Sequence, residues 1–203
     1  NEFEADSFGT KVTPAFVNYV ENIYVGYKFY ETAAAEGLID YDKTVVYPFG
    51  HGLSYTSFTQ TLNSVTESDG TITVDVTVTN TGSVSGKDVV EVYYNPPYTN
   101  GGIEKASANL IGFAKTSEIA AGASENVQVT FKAEDMASYD AHGKGCYVLE
   151  KGDYIISINS DSHNVIDSKT YTVASDIVYN ESNPRSSDQT VATNEFDFAE
   201  GNV

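Results

Sequence analysis

The sequence has no tryptophan, one cysteine (Cys146), one methionine and few basic residues. A single cysteine cannot form a disulfide within the chain, and it cannot supply the several thiolates of a cysteine-based zinc site. No apolar run approaches the roughly 20 residues that a membrane-spanning helix needs. These scarcities exclude a disulfide-stabilised scaffold, a cysteine-based zinc site and a helical membrane protein.

Positive charge is the next shortage. The chain has 11 Lys and Arg against 29 Asp and Glu, which gives a formal net charge of −18. A field of that sign repels nucleic acid phosphates and anionic lipids, so we expect neither nucleic acid nor a membrane among the partners. A neutral ligand such as a sugar remains compatible with it. Because the acids are spread along the chain, the plain interpretation is a solvated acidic surface.

The residues that are abundant divide the chain into three zones. Tyr (15) and Phe (10) are plentiful. Residues 1–57 are rich in aromatics and glycine, residues 58–175 consist of short strand-like runs, and residues 176–203 are polar and acidic. We expect these zones to differ in structure and in role.

The middle zone predicts a β-sandwich. From Thr71 to Thr79, Ile and Val alternate with Thr and Asp, which is typical of a strand with one face buried. Further predicted strands are Asp88–Tyr94, Ala108–Lys115, Asn126–Phe131, Cys146–Leu149, Tyr154–Asn159 and Ser168–Val173. About seven short strands separated by turns indicate an immunoglobulin-like or fibronectin type III-like sandwich. The Cys…Trp…Cys pattern of antibody domains is missing.

The first zone does not look like an independent domain. Pro14–Tyr30 carries apolar and aromatic residues too densely for an exposed amphipathic helix. Thr32–Gly37 predicts a short helix that ends at Gly37, and Tyr47–Tyr55 predicts a glycine-rich turn. So much aromatic surface in so few residues requires a partner. We therefore expect the end of a domain whose beginning is missing.

Two stretches in the first zone resemble a known family. Glu21–Tyr30 and Tyr47–Phe58 are similar to the closing segment of the α/β-sandwich domain of family 3 glycoside hydrolases, which are typically β-glucosidases. The middle zone resembles the fibronectin type III-like domain of the same family. The motifs that carry this second resemblance are Val76–Gly82, Gly86–Tyr93, Leu110–Phe113, Ala121–Ser124 and Gly152–Tyr154.

The resemblance implies a mainly β chain with three parts. Residues 1–57 would be the C-terminal segment of an α/β domain, 58–175 the fibronectin type III-like sandwich, and 176–203 a linker. Asn194–Gly201 resembles the connection into a following domain, as in members with swapped domain order. By resemblance, that order and the absence of disulfides favour the bacterial cytoplasm. The implied partners are the missing α/β and barrel domains and, in the parent enzyme, a glycoside.

The resemblance also implies that the chain is not catalytic by itself. A retaining glycosidase needs two carboxyls about 5–5.5 Å apart. In the family the nucleophilic Asp lies in the barrel, and the acid/base Glu usually lies upstream of the motif that begins at Tyr24, so we assign no catalytic residue. We expect no cofactor and no metal. The loop Asn159–Asp167 departs from a calcium loop, which needs Gly where Asn164 stands and Glu where Thr170 stands.

Two residues are candidates for substrate binding at the rim of a cleft. His51 lies between two glycines, where family loops approach the cleft, although a turn histidine that packs between domains is the other interpretation. Tyr98 lies in a loop with Pro96-Pro97 and Gly101-Gly102. Its ring would either stack on a sugar or pack on a neighbouring domain.

An alternative function is a stand-alone carbohydrate-binding or adhesion module with a platform of Tyr93, Tyr94 and Tyr98. The missing tryptophan argues against it. The two functions differ in one structural respect. A self-contained module would bury the aromatics of residues 1–57 on its own sandwich, whereas an accessory segment would leave an apolar surface for another domain.

Overall fold

The first 57 residues form short elements. The computed structural model describes residues 5–7, 10–12 and 20–188. Strands β1 (Ala5–Ser7) and β2 (Thr10–Val12) pair antiparallel, and two short helices follow, α1 (Tyr27–Ala35) and α2 (Tyr41–Thr44). Helix α1 begins five residues before the predicted start at Thr32, because the Tyr27 ring of its first turn packs against Tyr93 of the sandwich. Gly37, with φ of 70°, lies just beyond it as predicted.

Ten further strands make up most of the chain. They are β3 (Phe58–Ser68), β4 (Thr71–Asn80), β5 (Val89–Asn95), β6 (Asn109–Lys115), β7 (Ser124–Lys132), β8 (Ser138–Tyr139), β9 (Tyr147–Leu149), β10 (Gly152–Asn159), β11 (Val165–Val173) and β12 (Ile177–Tyr179). One sheet has the order β3-β4-β7 and the other the order β11-β10-β5-β6. A further small sheet has the order β12-β9-β8. All pairs are antiparallel, and the predicted β-sandwich is confirmed.

The core lies between the two larger sheets. The alternation predicted for β4 is confirmed, since its inward residues have no solvent exposure. These residues face the equally buried inward side chains of β5 and β10. The central residues of the core are Ile72, Val74, Val76, Val78, Val90, Val92, Tyr154, Ile156 and Ile158. Burial of this many β-branched side chains is the main stabilising contribution to the sandwich.

Strands β3 and β12, like the shorter β1, β2 and β8, lie where the sequence predicted none. In β3, a register shift between Leu62 and Ser64 interrupts the pairing with β4, and only Leu62 is fully buried. Its pattern is therefore weak, as is usual for an edge strand. Strand β12 lies within the predicted linker and pairs with β9, while the Arg185 guanidinium lies 3.8 Å from the centre of the Tyr147 ring. The predicted connection at Asn194–Gly201 lies outside the described residues.

Among the described residues, no helix is both long and apolar enough to cross a membrane.

Candidate functional site at the junction of residues 20–57 with the sandwich

The outer face of the β11-β10-β5-β6 sheet is covered. Side chains alternate along a strand, so Tyr93, Ser157 and Asn159 point away from the core that their neighbours Val92 and Ile158 enter. All three are nevertheless buried. Residues 27–50 supply the cover and form a third layer on this face. We call this contact the junction.

Aromatic rings form one half of the junction. The Tyr27 ring stacks on Phe49, with centroids 4.7 Å apart and planes at 12°, and meets the Tyr93 ring edge-on at 6.1 Å. Both arrangements suit the quadrupoles of the rings. The Leu110 amide of β6 donates a hydrogen bond of 2.9 Å to the Tyr27 hydroxyl oxygen. Tyr27 thereby connects α1 to two strands of the sandwich and to the glycine-rich turn.

A buried carboxylate forms the other half. Glu31 of α1 accepts hydrogen bonds at Oε1 from the Tyr41 hydroxyl (2.6 Å) and the Ser162 hydroxyl (2.7 Å). Its Oε2 lies 2.8 Å from His163 Nδ1, and the His163 ring stacks on Tyr41 with centroids 3.6 Å apart. We call these four residues the Glu31 cluster. Burial and the hydrogen bond to Glu31 raise the pKa of Tyr41, which keeps its hydroxyl a donor.

The β10–β11 loop is held by its own acid. Asp161 Oδ1 accepts hydrogen bonds from the backbone amides of His163 (3.0 Å) and Asn164 (2.8 Å). This turn presents Ser162 and His163 to Glu31, and the Ser162 amide donates to the Phe49 carbonyl oxygen at 2.8 Å. The polar loop Asn159–Asp167 thus serves as a docking loop for α1 and the glycine-rich turn. Across residues 20–188, no three His, Cys, Asp or Glu side chains are grouped to hold a metal ion.

Gly50 fits against a carboxylate of the sheet. A Cβ on Gly50 would lie 2.5 Å from Glu91 Oε2, and its φ of 90° is unfavourable for any residue with a side chain. Burial raises the pKa of Glu91, and the hydrogen bond that it accepts from the Tyr93 hydroxyl at 2.9 Å opposes that rise. The glycine therefore allows the turn to approach the outer face of β5.

His51, the first predicted binding residue, lies on the far side of this turn. Its side chain is exposed and stacks on the Tyr47 ring, with centroids 5.0 Å apart. Its backbone amide donates to the Pro48 carbonyl oxygen at 3.1 Å. His51 is thus held by its own turn and faces outward.

Tyr98, the second predicted binding residue, lies in the β5–β6 loop and is 45% exposed. Its hydroxyl lies 3.4 Å from Glu104 Oε1, while the Tyr24 hydroxyl donates to Glu104 Oε2 at 2.6 Å. In the part of the chain that the structure describes, no hydrogen bond or aromatic pair connects Tyr98 with His51. The two candidates therefore belong to separate clusters.

The predicted platform of Tyr93, Tyr94 and Tyr98 is wrong. Tyr93 has only 1% of its surface exposed, beneath Tyr27, and Tyr94 packs against the core. Of the three, Tyr98 alone is exposed, whereas Tyr94 is half-buried. The error arose because the outer face of β5 is covered by α1, which the strand pattern alone does not show.

Sequence reasoning missed the three carboxylates of this region, Glu31, Glu91 and Glu104. A signal existed for one of them. Tyr27 and Glu31 are four residues apart on α1 and so lie on the same face of the helix. A face that must bury an aromatic ring would also carry the carboxylate into the junction.

A strip of apolar side chains beside the junction is exposed in the part of the chain that the structure describes. Leu53 is 95% exposed and Tyr55 is fully exposed. The strip, as we use the term, consists of Val46, Tyr47, Phe49, Leu53 and Tyr55. Tyr27 and Tyr41 of the same zone are packed on the sandwich. Residues 20–57 therefore bury one side on the sandwich and expose the other.

Comparison with protein families and curated proteins identifies the region. Residues 88–162 match the fibronectin type III-like domain family. Over 157 residues the chain is 40% identical to β-glucosidase A of Butyrivibrio fibrisolvens, covering 68% of this chain and 18% of that protein. Over 182 residues it is 30% identical to a β-glucosidase of Kluyveromyces marxianus, covering 85% and 20%. The chain thus spans about a fifth of the length of these relatives.

Solved structures agree with this. The structure of β-glucosidase 3B from Thermotoga neapolitana in complex with α-D-glucose matches with a TM-score of 0.68 and 33% identity, over 79% of this chain and 21% of that one. A β-glucosidase from Paenibacillus barengoltzii matches with a TM-score of 0.69 and 37% identity, over 79% and 18%. At 33% and 37% identity, this chain resembles these two structures in sequence as well as in fold.

Proposed function

We propose that this chain, which matches a partial region of the family 3 glycoside hydrolases, braces the catalytic domains of a longer β-glucosidase-like enzyme. The enzyme would hydrolyse O-glycosyl bonds at non-reducing ends. In this proposal residues 1–57 complete an α/β domain, residues 58–175 are the bracing sandwich, and residues 176–203 lead towards a following barrel domain. The resemblance of Asn194–Gly201 to such a connection supports the swapped order.

The observation that carries the proposal is the exposed apolar strip. Five large apolar side chains are exposed within the ten residues 46–55, and exposed apolar patches mark interaction sites. The strip lies on residues that resemble the end of an α/β domain, so the occupant that we propose is the remainder of that domain. On the opposite side, the junction fixes these residues to the sandwich through Tyr27 and the Glu31 cluster. The sandwich would thus stabilise the α/β domain through these residues.

The catalytic carboxyls would lie in the other domains. Glu31 and Glu91, the acids at the junction, accept hydrogen bonds from neighbouring side chains and hold structural contacts. The side chains of His51 and Tyr98 are both exposed, and we propose that they lie at the rim of the shared cleft. The glycoside would be bound by the whole enzyme.

Hydrolysis of a chromogenic β-glucoside tests whether the catalytic carboxyls lie outside this chain. We expect turnover by the longer polypeptide and none by the purified 203-residue chain, because the chain supplies no acid/base and nucleophile pair. Turnover by the chain that persists through further purification would contradict this. Absence of turnover by the longer polypeptide would contradict the proposed activity.

A charge in the strip tests the bracing role. Burying an aspartate carboxylate against an apolar partner is unfavourable, and Leu53→Asp would also lose roughly 2 kcal/mol of apolar burial. We expect this variant to lower the melting temperature and the activity of the longer enzyme. The same substitution in the 203-residue chain is the matched control and should leave its melting temperature unchanged, because Leu53 is 95% exposed there. Equal effects in both proteins would show that nothing docks on the strip.

A further inference from the structure

A cleft lies between α1 and the β5–β6 loop, apart from the apolar strip. Its volume is about 370 Å³, within the usual range of small-molecule sites. Polar and aromatic side chains line it together, among them Tyr24, Tyr98, Asn95, Asn100, Glu36 and Ser107. The cleft is formed by the chain's own described residues.

One carboxylate fixes the two tyrosines at its edge. Glu104 accepts a hydrogen bond of 2.6 Å from Tyr24 at one oxygen, and the Tyr98 hydroxyl approaches the other at 3.4 Å. Burial and the hydrogen bond to Glu104 raise the pKa of Tyr24, and burial and the negative charge of Glu104 raise the pKa of Tyr98, so both rings remain neutral phenols at ordinary pH. Glu104 is 80 residues from Tyr24, and the contact therefore ties the loop to the segment before α1.

The exposed ring suits the face of a sugar. A pyranose presents C–H bonds on its face, and their partial positive charge matches the negative face of an aromatic ring. Its hydroxyls need hydrogen-bond partners around the edge, which the amides of Asn95 and Asn100 can supply. The 45% exposure of Tyr98 leaves part of its ring available.

The charges of the cleft disfavour an anion. Glu36 lines the cleft and Glu104 contacts its two tyrosines, so both charges nearby are negative, and Lys105, the lysine in the lining, is already paired. Lys105 Nζ donates to the Pro97 carbonyl oxygen at 2.6 Å and to the Glu150 carboxylate. Its side chain is only 3% exposed, so it offers no free positive charge. A neutral polyhydroxy ligand fits these conditions.

We propose that this cleft is a saccharide-binding site in its own right, with Tyr98 as the stacking residue and Glu104 as a positioning residue. The choice of a neutral saccharide rests on the proposed function, whereas the site itself needs only this chain. Binding by the chain alone would allow it to hold a neutral oligosaccharide without the catalytic domains.

Calorimetric titration of the 203-residue chain with cellobiose tests the site. We expect a dissociation constant on the order of 1 mM and no binding of sorbitol, an acyclic polyol without a ring face. Tyr98→Ala should weaken cellobiose binding roughly fivefold to tenfold. Tyr55→Ala, which removes a fully exposed tyrosine outside the cleft, should leave it unchanged. Melting temperatures establish that each variant is folded.

Three results would overturn the inference. They are no cellobiose binding by the wild-type chain, equal binding of sorbitol, and wild-type affinity in the Tyr98→Ala variant. A chain that does not bind cellobiose, from an enzyme that does hydrolyse β-glucosides, would refute the cleft and leave the proposed function intact. Glu104→Ala should also weaken binding, and Glu104→Gln, which keeps an acceptor for Tyr24, should restore part of it.

Discussion

Glu31→Ala is expected to lower the free energy of unfolding of the chain by about 3 kcal/mol. The substitution removes the acceptor shared by Tyr41, Ser162 and His163, and their donors lose their partner in a largely buried place. Buried polar groups without a partner cost about 1–3 kcal/mol each, although the partial exposure of His163 reduces its share. Urea denaturation followed by circular dichroism measures the change.

Two variants separate the Glu31 cluster from the loss of any glutamate. Glu36→Ala, at the exposed end of the same helix, should change the stability by only a few tenths of a kcal/mol. Glu31→Gln keeps one acceptor oxygen and should lose less than Glu31→Ala. If Glu31→Ala and Glu36→Ala were equally stable, the Glu31 cluster would contribute nothing to the junction.

Tyr27→Ala is expected to destabilise the chain by roughly 2–3 kcal/mol. It removes the ring between Phe49 and Tyr93, and the Leu110 amide loses its acceptor. Aromatic to alanine changes in a full core cost about 3–5 kcal/mol, and the half-buried position of Tyr27 places the loss below that range. The same denaturation experiment applies, and proteolysis of the region 45–57 should accelerate because Phe49 is released.

Tyr27→Phe and Tyr55→Ala serve as the comparison for that variant. Tyr27→Phe retains both ring contacts and removes only the oxygen that the Leu110 amide reaches, so a loss of about 1 kcal/mol is expected. Tyr55 is fully exposed, and its removal should be neutral in this chain. A Tyr27→Ala variant as stable as Tyr55→Ala would mean that α1 is not held by its aromatic contacts.

The sequence predicted the sandwich well, for a local reason. In β4 and β7 every second side chain is buried. The sequence therefore alternates between apolar and polar residues from Ile72 to Val78 and from Val127 to Phe131. Strand β3 has the opposite property. It is an edge strand with a bulge and mostly exposed side chains, so its residues are not constrained to alternate.

The junction and the cleft were harder to predict because their contacts are distant in sequence. Glu31 and Ser162 are 131 residues apart, and Tyr24 and Glu104 are 80 apart. Nothing local marks either glutamate as buried or bridging. Tyr98 was identified because proline and glycine around it indicate an exposed loop, which depends on its neighbours alone.

The third layer on the outer face of β5 and β10 changes what counts as a transferable unit. The sequence divides at residue 57, but Tyr93, Ser157 and Asn159 are covered only when residues 27–50 are present. If a sandwich were exchanged between two enzymes at that division, the outer face of its β11-β10-β5-β6 sheet would be exposed to solvent. Recombination that preserves stability therefore has to move residues 27–50 together with the sandwich, and selection on domain shuffling would act on that longer segment.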